Sequence, residues 1–585
     1  MTNGLSRLNG FLVWRLPSER VRGWPEPVEA HGLAVWFYGY LAAEAGHPTG
    51  SHRSRHYENC ELVAAAYRRW GTGFGQRLHG EYCAVIADGP TVVAGGDRMG
   101  LRPLYFSNSA DVIVISSDLG ATARELRADS IDEIYIADLL ARGRHLGTRT
   151  PYSEISRLGI GQAAKWSDAT GPKLSVEWRP TIGCATGDLE AQKNRLVRAV
   201  DIAVGNSAPE GAVAVHLSGG LDSSTLLACL PPDRDAHAIS TVFTEQPTCD
   251  EREWIAAALR NNSVPWHPID VSRCLPFSAG PAFDHFIAAP SYATVTWAQD
   301  LAEDEIAREV GATAILTGEG GDEVFSAGAL PWHIADLLRT GNWWAAWRQA
   351  RWWSSDSPAP RPATYWLSRS GFRGWMNWRR GTDLLMRPTA PVSINAPWLA
   401  ADFVQSENAR AGESARSELR ALRVDQQAVW EGIVHAAETV RSSYPFTAHR
   451  VDTRHPFLSP EMVDVALSTP WQAGVDPRID RAVQRYAFAG RVSETTLRRR
   501  SKATTDLAIF RGLEQASDWI ELLWESPEIA RRGYVDLARW RESIDRSTVG
   551  WLYSVHHFKA AVQIEHWLSQ LHRMGRPQLL RVAPP

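Results

Sequence analysis

Along the first 180 or so residues, apolar positions fall in short runs broken by Gly, Asp, Asn and Pro. The runs LAVWFYGYLA (33–42), EYCAVIAD (81–88), TVVAGGD (91–97) and DVIVISSD (111–118) read as strands of a mixed sheet. Between them, NCELVAAAYRRWG has helical apolar spacing that stops at Gly71. SIDEIYIADLLARG opens on a capping residue and stops at Gly143. The pattern predicts an α+β domain over residues 1–184. HRSRHYENC carries His52, His56 and Cys60 at intervals of four, a spacing that on a helix would align zinc ligands. The stretch before Asn59 lacks helical apolar spacing, however, and is expected to be a loop leading into a capped helix. The pair His556 and His557 is expected to serve packing or the surface of the last helix.

The period changes near residue 185. DLEAQKNRLVRAVDIAV reads as a helix, and the β-rich runs AVAVHL, AHAISTVF and ATAILTG are separated by the helical stretches DEREWIAAALRNN and WAQDLAEDEIAREVG. Strands alternating with helices predict a parallel sheet with crossover connections, hence an α/β domain over residues 185–585. Residues 331–398 differ again: ten tryptophans, from Trp332 to Trp398, are interleaved with nine arginines. Such a segment either packs its indoles inward or lines a groove for a large ligand, since aromatic and arginine side chains are favoured interface anchors.

Composition narrows the classes. A chain of 585 residues, 44% hydrophobic and 22% charged, can bury more than one core. A formal net charge of -4 carries no electrostatic footprint for nucleic acid. No apolar run reaches the roughly 18 residues of a membrane span, and a soluble, cytoplasmic protein is expected. The six cysteines form no C-x-x-C pair, so reduced thiols are expected. Lysine is confined to Lys165, Lys173, Lys193, Lys502 and Lys559, which makes a lysine beside a phosphate site informative.

The densest chemistry lies where AVAVHL runs into Ser218-Gly219-Gly220-Leu221-Asp222-Ser223-Ser224. Beyond the carboxyl end of a parallel strand, glycines allow backbone to approach phosphate, and a helix N-terminus favours an anion. The Walker lysine and the Gly-x-Gly-x-x-Gly spacing are both absent. An aspartate stands instead, and an acid facing polyphosphate calls for a bridging cation, so Asp222 implies Mg2+.

With these residues in view, SGGLDSS resembles the pyrophosphate loop of ATP pyrophosphatases, and LSGGLDSS is similar to that of the asparagine synthetase family. LTGEGGDEVF (316–325) resembles that family's second element. The resemblance implies ATP and Mg2+ as cofactors, Asp222 and Asp322 as metal ligands, and Glu319 as an acid/base. It implies ATP contacts from Leu217, Ser218, Gly219, Gly220, Ser223, Thr317 and Gly318, with adenine held by backbone near Val242. RVDTRHPFL resembles the family's Glu-x-Arg-x-Pro-Phe-Leu element with Asp452 in place of the glutamate, a second possible base. RRRSKATTD places Lys502 where family members face the reacting phosphate and acyl group.

LHGEYCAVIADG and GGDRMGLRPLYFS resemble elements of the family's glutaminase domain, which implies an N-terminal-nucleophile-hydrolase-like fold for residues 1–184. That domain works through a terminal cysteine, and Thr2 stands in its place, so the domain is expected to be inactive. Branches that lack the cysteine include ammonia-dependent asparagine synthetases, β-lactam synthetases and lasso-peptide macrolactam synthetases. The Trp/Arg-rich segment and VDTRHPFL are most similar to the last. This resemblance implies adenylation of an Asp or Glu side chain in a linear core peptide, then ring closure by the peptide's amine. It also implies a leader-peptide-binding protein and a leader peptidase as partners, with no nucleic acid and no membrane. An ammonia-dependent or β-lactam-forming enzyme, and a non-catalytic peptide-binding scaffold, remain the alternatives.

Overall fold

The computed structural model describes residues 5–8, 11–14, 27–42, 52–107, 113–143, 147–167, 171–181, 183, 188–245, 247, 249–278, 287–325, 331–356, 361–380, 396–404, 422–447, 451–500, 506–548 and 555–574. The first third holds two sheets. One is antiparallel throughout, in the order Lys173–Val176, Gln162–Trp166, Thr91–Gly96, Gly80–Asp88, Leu33–Leu41, Val28–Ala30. The other is mixed and runs Leu5–Leu8, Phe11–Trp14, Ile113–Ser116, Tyr105–Ser107, Ile155–Arg157. Side chains alternate across a strand, so Leu33–Leu41 packs both ways. Trp36 meets Phe106 and Ile115 between the sheets, while Val35 and Phe37 meet Cys60, Val63 and Ala64 of helix His52–Trp70.

That helix corrects the expectation for HRSRHYENC, because it starts at His52 and not near Asn59. Tertiary contact outweighs the weak apolar period there. His56 packs its ring against Phe37 with centroids 6.3 Å apart, and its Nε2 lies 3.6 Å from Cys60 Sγ one turn on. Burial pushes the Cys60 thiol up to about 12, the opposite of a zinc thiolate. Helix Glu133–Arg142 has the expected ends: Asp132 accepts from Tyr135 N, and Gly143 closes it at φ 73°.

The second half is built on a five-stranded sheet, all parallel, in the order Trp266–Asp270, Asp235–Val242, Ala212–His216, Ala314–Leu316, Asp452–Arg454. Helices cover both faces. Val213 and Val215 pack with Leu196, Val200 and Leu226 on one side, and Ala214 packs with Ile239, Ala307 and Ile315 on the other. Helix Leu189–Ser207 is capped by Asp188, whose side chain accepts from Ala191 N. The tryptophan-rich segment forms helices His333–Arg339, Trp343–Asp356, Ala363–Trp366 and Arg373–Arg380, with a π-helical turn at Leu367–Phe372.

One apolar core crosses between the halves. Tyr105, Ile136, Leu140 and Tyr152 share it with Trp398, Trp519, Trp540 and Trp567. His557 of the last helix reaches Ala141 O with its Nε2 at 3.2 Å. Among the described residues no helix is long and apolar enough to cross a membrane. The cysteines described are all free and buried.

Candidate active site

In the parallel sheet the chain proceeds outward from Ala212–His216 in one direction and then returns to Ala314–Leu316 on its other side. The sense of winding reverses between these two neighbours, and at such a switch point their carboxyl-end loops diverge to leave a crevice. The two chemically rich loops, 217–220 and 317–322, follow these two strands.

The first loop is tied down before it turns. Leu217 N donates to Ile239 O at 2.8 Å, and Ser240 Oγ donates to Leu217 O at 2.6 Å. Gly219 lies at φ 68°, and a Cβ there would stand 2.6 Å from Ile255 N, so only glycine fits. Ser218 N donates to Ser223 Oγ at 3.2 Å, and the two hydroxyls are 3.1 Å apart. Helix Leu221–Ala228 then begins with Gly220 at its N-cap, which puts no side chain over the helix N-terminus. Beneath the loop, Arg499 is ion-paired to Glu251, lies 4.7 Å over the Trp254 ring and donates to Gly219 O at 3.4 Å.

The second loop presses against the first. Thr317 N donates to Arg454 O at 3.0 Å, and Glu319 N to Thr317 Oγ1 at 3.4 Å. A Cβ on Gly318 would sit 3.3 Å from Asp222 Cβ, and one on Gly321 would sit 2.6 Å from Asp222 Cγ. These close approaches bring Asp222 and Asp322 onto one cation. Arg481 Nη1 donates to Asp222 Oδ2 at 2.7 Å and to Asp322 Oδ1 at 3.0 Å. Gln484 Nε2 donates to Asp222 Oδ1 at 3.1 Å. Glu323 lies beside them, its carboxyl pushed up to about 7 by burial first and by Glu319, Asp322 and Asp222 after it. Glu319 itself is exposed.

Other expected residues fall elsewhere. Val242 ends its strand beside Asp270, nine-tenths or more buried, next to the first loop. Asp452 pairs with Ala314, two residues back from the carboxyl edge at Leu316, or about 6.6 Å. Its carboxylate takes Arg102 Nη2 at 2.5 Å and Arg454 Nε at 2.7 Å. Although burial works the other way, the two guanidiniums hold its pKa below the usual carboxylate range. Asp452 is thereby ion-paired at the contact between the halves. Lys502 and Thr2 lie outside the described residues.

Sequence reasoning missed Arg481, Gln484, Glu323 and Arg499. Glu323 sits inside the quoted second element and Arg499 within the arginine run, so both were within reach. Nothing near Arg481 signals its place.

The donor set fits magnesium. Mg2+ takes one or two carboxylates together with phosphate oxygens and water, and Asp222 and Asp322 already share one positive charge. Two carboxylates leave the rest of an octahedral magnesium shell to water or phosphate oxygens, a donor set compatible with a metal–triphosphate complex.

Fold and site together define an α/β class with a glycine-rich loop and an acidic pair at the switch point. The asparagine synthase family matches residues 193–569, more than half of the chain, and a glutamine amidotransferase domain matches residues 35–175. The chain belongs to the asparagine synthase family, whose reaction is ATP-dependent amide formation. Among curated proteins it is similar to "Amidase chyE" of Penicillium rubens, 22% identical over 46% of this chain and 43% of that protein. It is likewise similar to "Amidase chry2" of Gibberella zeae, 22% identical over 46% of this chain and 42% of that one. The chain thus spans less than half the length of these relatives. Among solved structures, glutamine phosphoribosylpyrophosphate amidotransferase from B. subtilis, complexed with ADP and GMP, is 11% identical. It covers 49% of this chain and 70% of that one at a TM-score of 0.19.

Proposed function

We propose that this protein closes a macrolactam ring of the lasso-peptide kind, joining a side-chain carboxylate of a linear core peptide to the peptide's own amine at the expense of ATP. The observation that carries this reading is the physical continuity between the acidic pair and the Trp/Arg face. Helix Gly321–Val324, which bears Asp322, packs against Val424–Thr447, and His333–Arg339 packs there too. Asp336 caps the long helix, accepting from Val424 N and Asp425 N at 3.2 Å each. From this support, helix Trp343–Asp356 presents Trp343, Trp344 and Trp347 at 54%, 73% and 37% exposure. Phe372 and Met376 are exposed as well, and Trp343 meets Phe372 with ring centroids 5.8 Å apart. Activating a free amino acid needs no such surface, whereas a peptide has side chains to anchor on it.

In this reading a substrate carboxylate oxygen bonds to the α-phosphorus as the bridging bond breaks and pyrophosphate leaves. The peptide amine then attacks the acyl carbon, AMP leaves, and the nitrogen gives up a proton. Asp222 and Asp322 would hold magnesium, which when bound neutralises pyrophosphate charge. Backbone of the 218–220 loop and the Ser218 and Ser223 hydroxyls orient the phosphates, and Lys502 would supply positive charge to the transferring phosphate and acyl group. Glu319, exposed at the loop, takes the amine proton. The first domain serves as a support for the second, with a leader-peptide-binding protein and a leader peptidase as working partners.

A synthetic linear core peptide incubated with ATP and magnesium is expected to lose the mass of one water while AMP accumulates. Consumption of free aspartate with the peptide's mass unchanged would transfer the assignment to asparagine formation. Peptide binding with no carboxylate-dependent exchange of pyrophosphate into ATP would leave a scaffold.

A further inference from the structure

The cation between Asp222 and Asp322 belongs to the protein, and its setting is unusual. Arg481 adopts φ 52°, a left-handed conformation that is unfavourable for a residue with a Cβ and persists only where surroundings enforce it. The surroundings do so here. Asp480 Oδ2 takes Arg481 Nε at 3.1 Å, while Asp480 Oδ1 is fixed by Arg485 Nη2 at 2.7 Å. Arg485 is anchored in turn through Nη1 on Leu497 O at 2.6 Å. The Arg481 side chain is 11% exposed. This is a built arrangement that delivers one guanidinium to two acids contributed by the two loops.

We propose that Arg481 is an internal counter-ion that occupies the metal position between the acidic pair and yields it to a metal–nucleotide complex. Two carboxylates brought together repel each other, so a protein that must preform such a pair needs a positive charge there before ligand arrives. A free divalent ion meets a competitor already in place, and displacing it would cost the buried guanidinium two of its three carboxylate partners, leaving Asp480 alone. A metal–triphosphate complex carries its own compensation: the metal takes the carboxylates, and the phosphates give the released guanidinium a new anionic partner. Arg481 thereby makes the site selective for the complex over the bare ion. This inference rests on the reading of the loops as a nucleotide site.

The test uses full-length protein and manganese as the metal probe, followed by electron paramagnetic resonance without nucleotide. ATP binding in the presence of metal is followed by calorimetry. Arg481→Gln is expected to tighten manganese binding about tenfold or more while weakening metal–ATP binding about tenfold or more. The opposite signs identify a counter-ion, because a merely structural residue would weaken both. Arg481→Lys keeps a charge without the planar fork and is expected to shift both affinities in the same crossed sense by less. It serves in place of the first variant if that one does not fold. Manganese affinity unchanged or weakened in the variants, with ATP binding intact in the parent protein, would overturn the inference alone. A parent protein that binds no ATP would overturn the nucleotide site as well.

Discussion

Replacing Gly321 by alanine tests how the two loops cooperate. The added Cβ would stand 2.6 Å from Asp222 Cγ, 2.8 Å from its Cβ and 2.9 Å from Oδ1. Carbon pairs rest at about 3.5–4.0 Å, so the Asp222 side chain must retreat by about 1 Å. That displacement spoils the 2.7 Å contact with Arg481 and the 3.1 Å contact with Gln484, and moves the carboxylate that would hold metal. A misplacement of about 1 Å at a reacting centre costs on the order of 100-fold in rate, or about 2.7 kcal/mol of barrier. Backbone stability moves the other way, because alanine favours a helix over glycine by up to about 1 kcal/mol. Gly321→Ala is therefore expected to cut carboxylate-dependent pyrophosphate exchange about 100-fold, with thermal stability lowered by the disturbed Asp222–Arg481 pair and only partly restored by the helix gain. Gly205→Ala, in helix Leu189–Ser207 with open space around it, is the control and should leave exchange as it was. Exchange in Gly321→Ala within about threefold of the parent rate would refute the argument, since a crowded Asp222 could not then be metal-binding.

Glu565 accepts from Ile529 N at 2.9 Å and Ser569 Oγ at 2.7 Å, yet burial pushes its carboxyl from 4.5 up to about 7. The folded chain then keeps a proton that the unfolded chain releases, so this contribution is complete below pH 4.5 and is lost as pH rises through about 7. Its full size is about 3 kcal/mol, and Glu565→Gln is expected to flatten the fall in melting temperature between pH 5 and 8; parallel curves would refute it. Arg102→Met removes a guanidinium, 5% exposed, from Asp452 and Glu81 and is expected to destabilise by about 3–5 kcal/mol. Adding Asp452→Asn should recover part of that loss, and a further fall in thermal stability would contradict the pairing. Trp344→Ala should leave folding intact and raise the KM for peptide about tenfold with kcat unchanged; an unaltered KM would remove Trp344 from the peptide surface.

Short apolar runs bounded by Gly and Asp made the Leu33–Leu41 and Gly80–Asp88 strands legible, because both faces of each strand are buried, against different cores. Strand–helix alternation from Asp188 onward likewise announced the parallel sheet, since crossover connections demand it. The loops were readable because glycine and aspartate there answer local demands of backbone and charge. What stayed hidden depends on partners far along the chain. Arg481 acquires meaning only from Asp222, 259 positions away. The ion pair of Asp452 likewise depends on Arg102, 350 positions away. Tryptophan counting could not separate Trp344, 73% exposed, from Trp398, which is fully buried with Trp540 in another core. The early start of helix His52–Trp70 was set by the sheet beneath it, which a periodicity in one segment does not contain.

The contact at Asp452–Arg454 also bears on whether the halves could be parted. Among the described residues this strand is the rim of the parallel sheet, and Arg454 O faces inward to receive Thr317 N. Thr453 O and His455 N therefore point outward, where another strand would hydrogen-bond. Arg102 Nη2 donates to Thr453 O at 3.0 Å, and His455 N donates to Glu81 Oε1 at 2.6 Å, so two side chains of the first domain imitate the missing neighbour. An α/β half expressed alone would present a bare rim and sticky ends to its own copies. Whatever chemistry the first domain has kept or lost, its Arg102 and Glu81 satisfy backbone groups that removing it would expose.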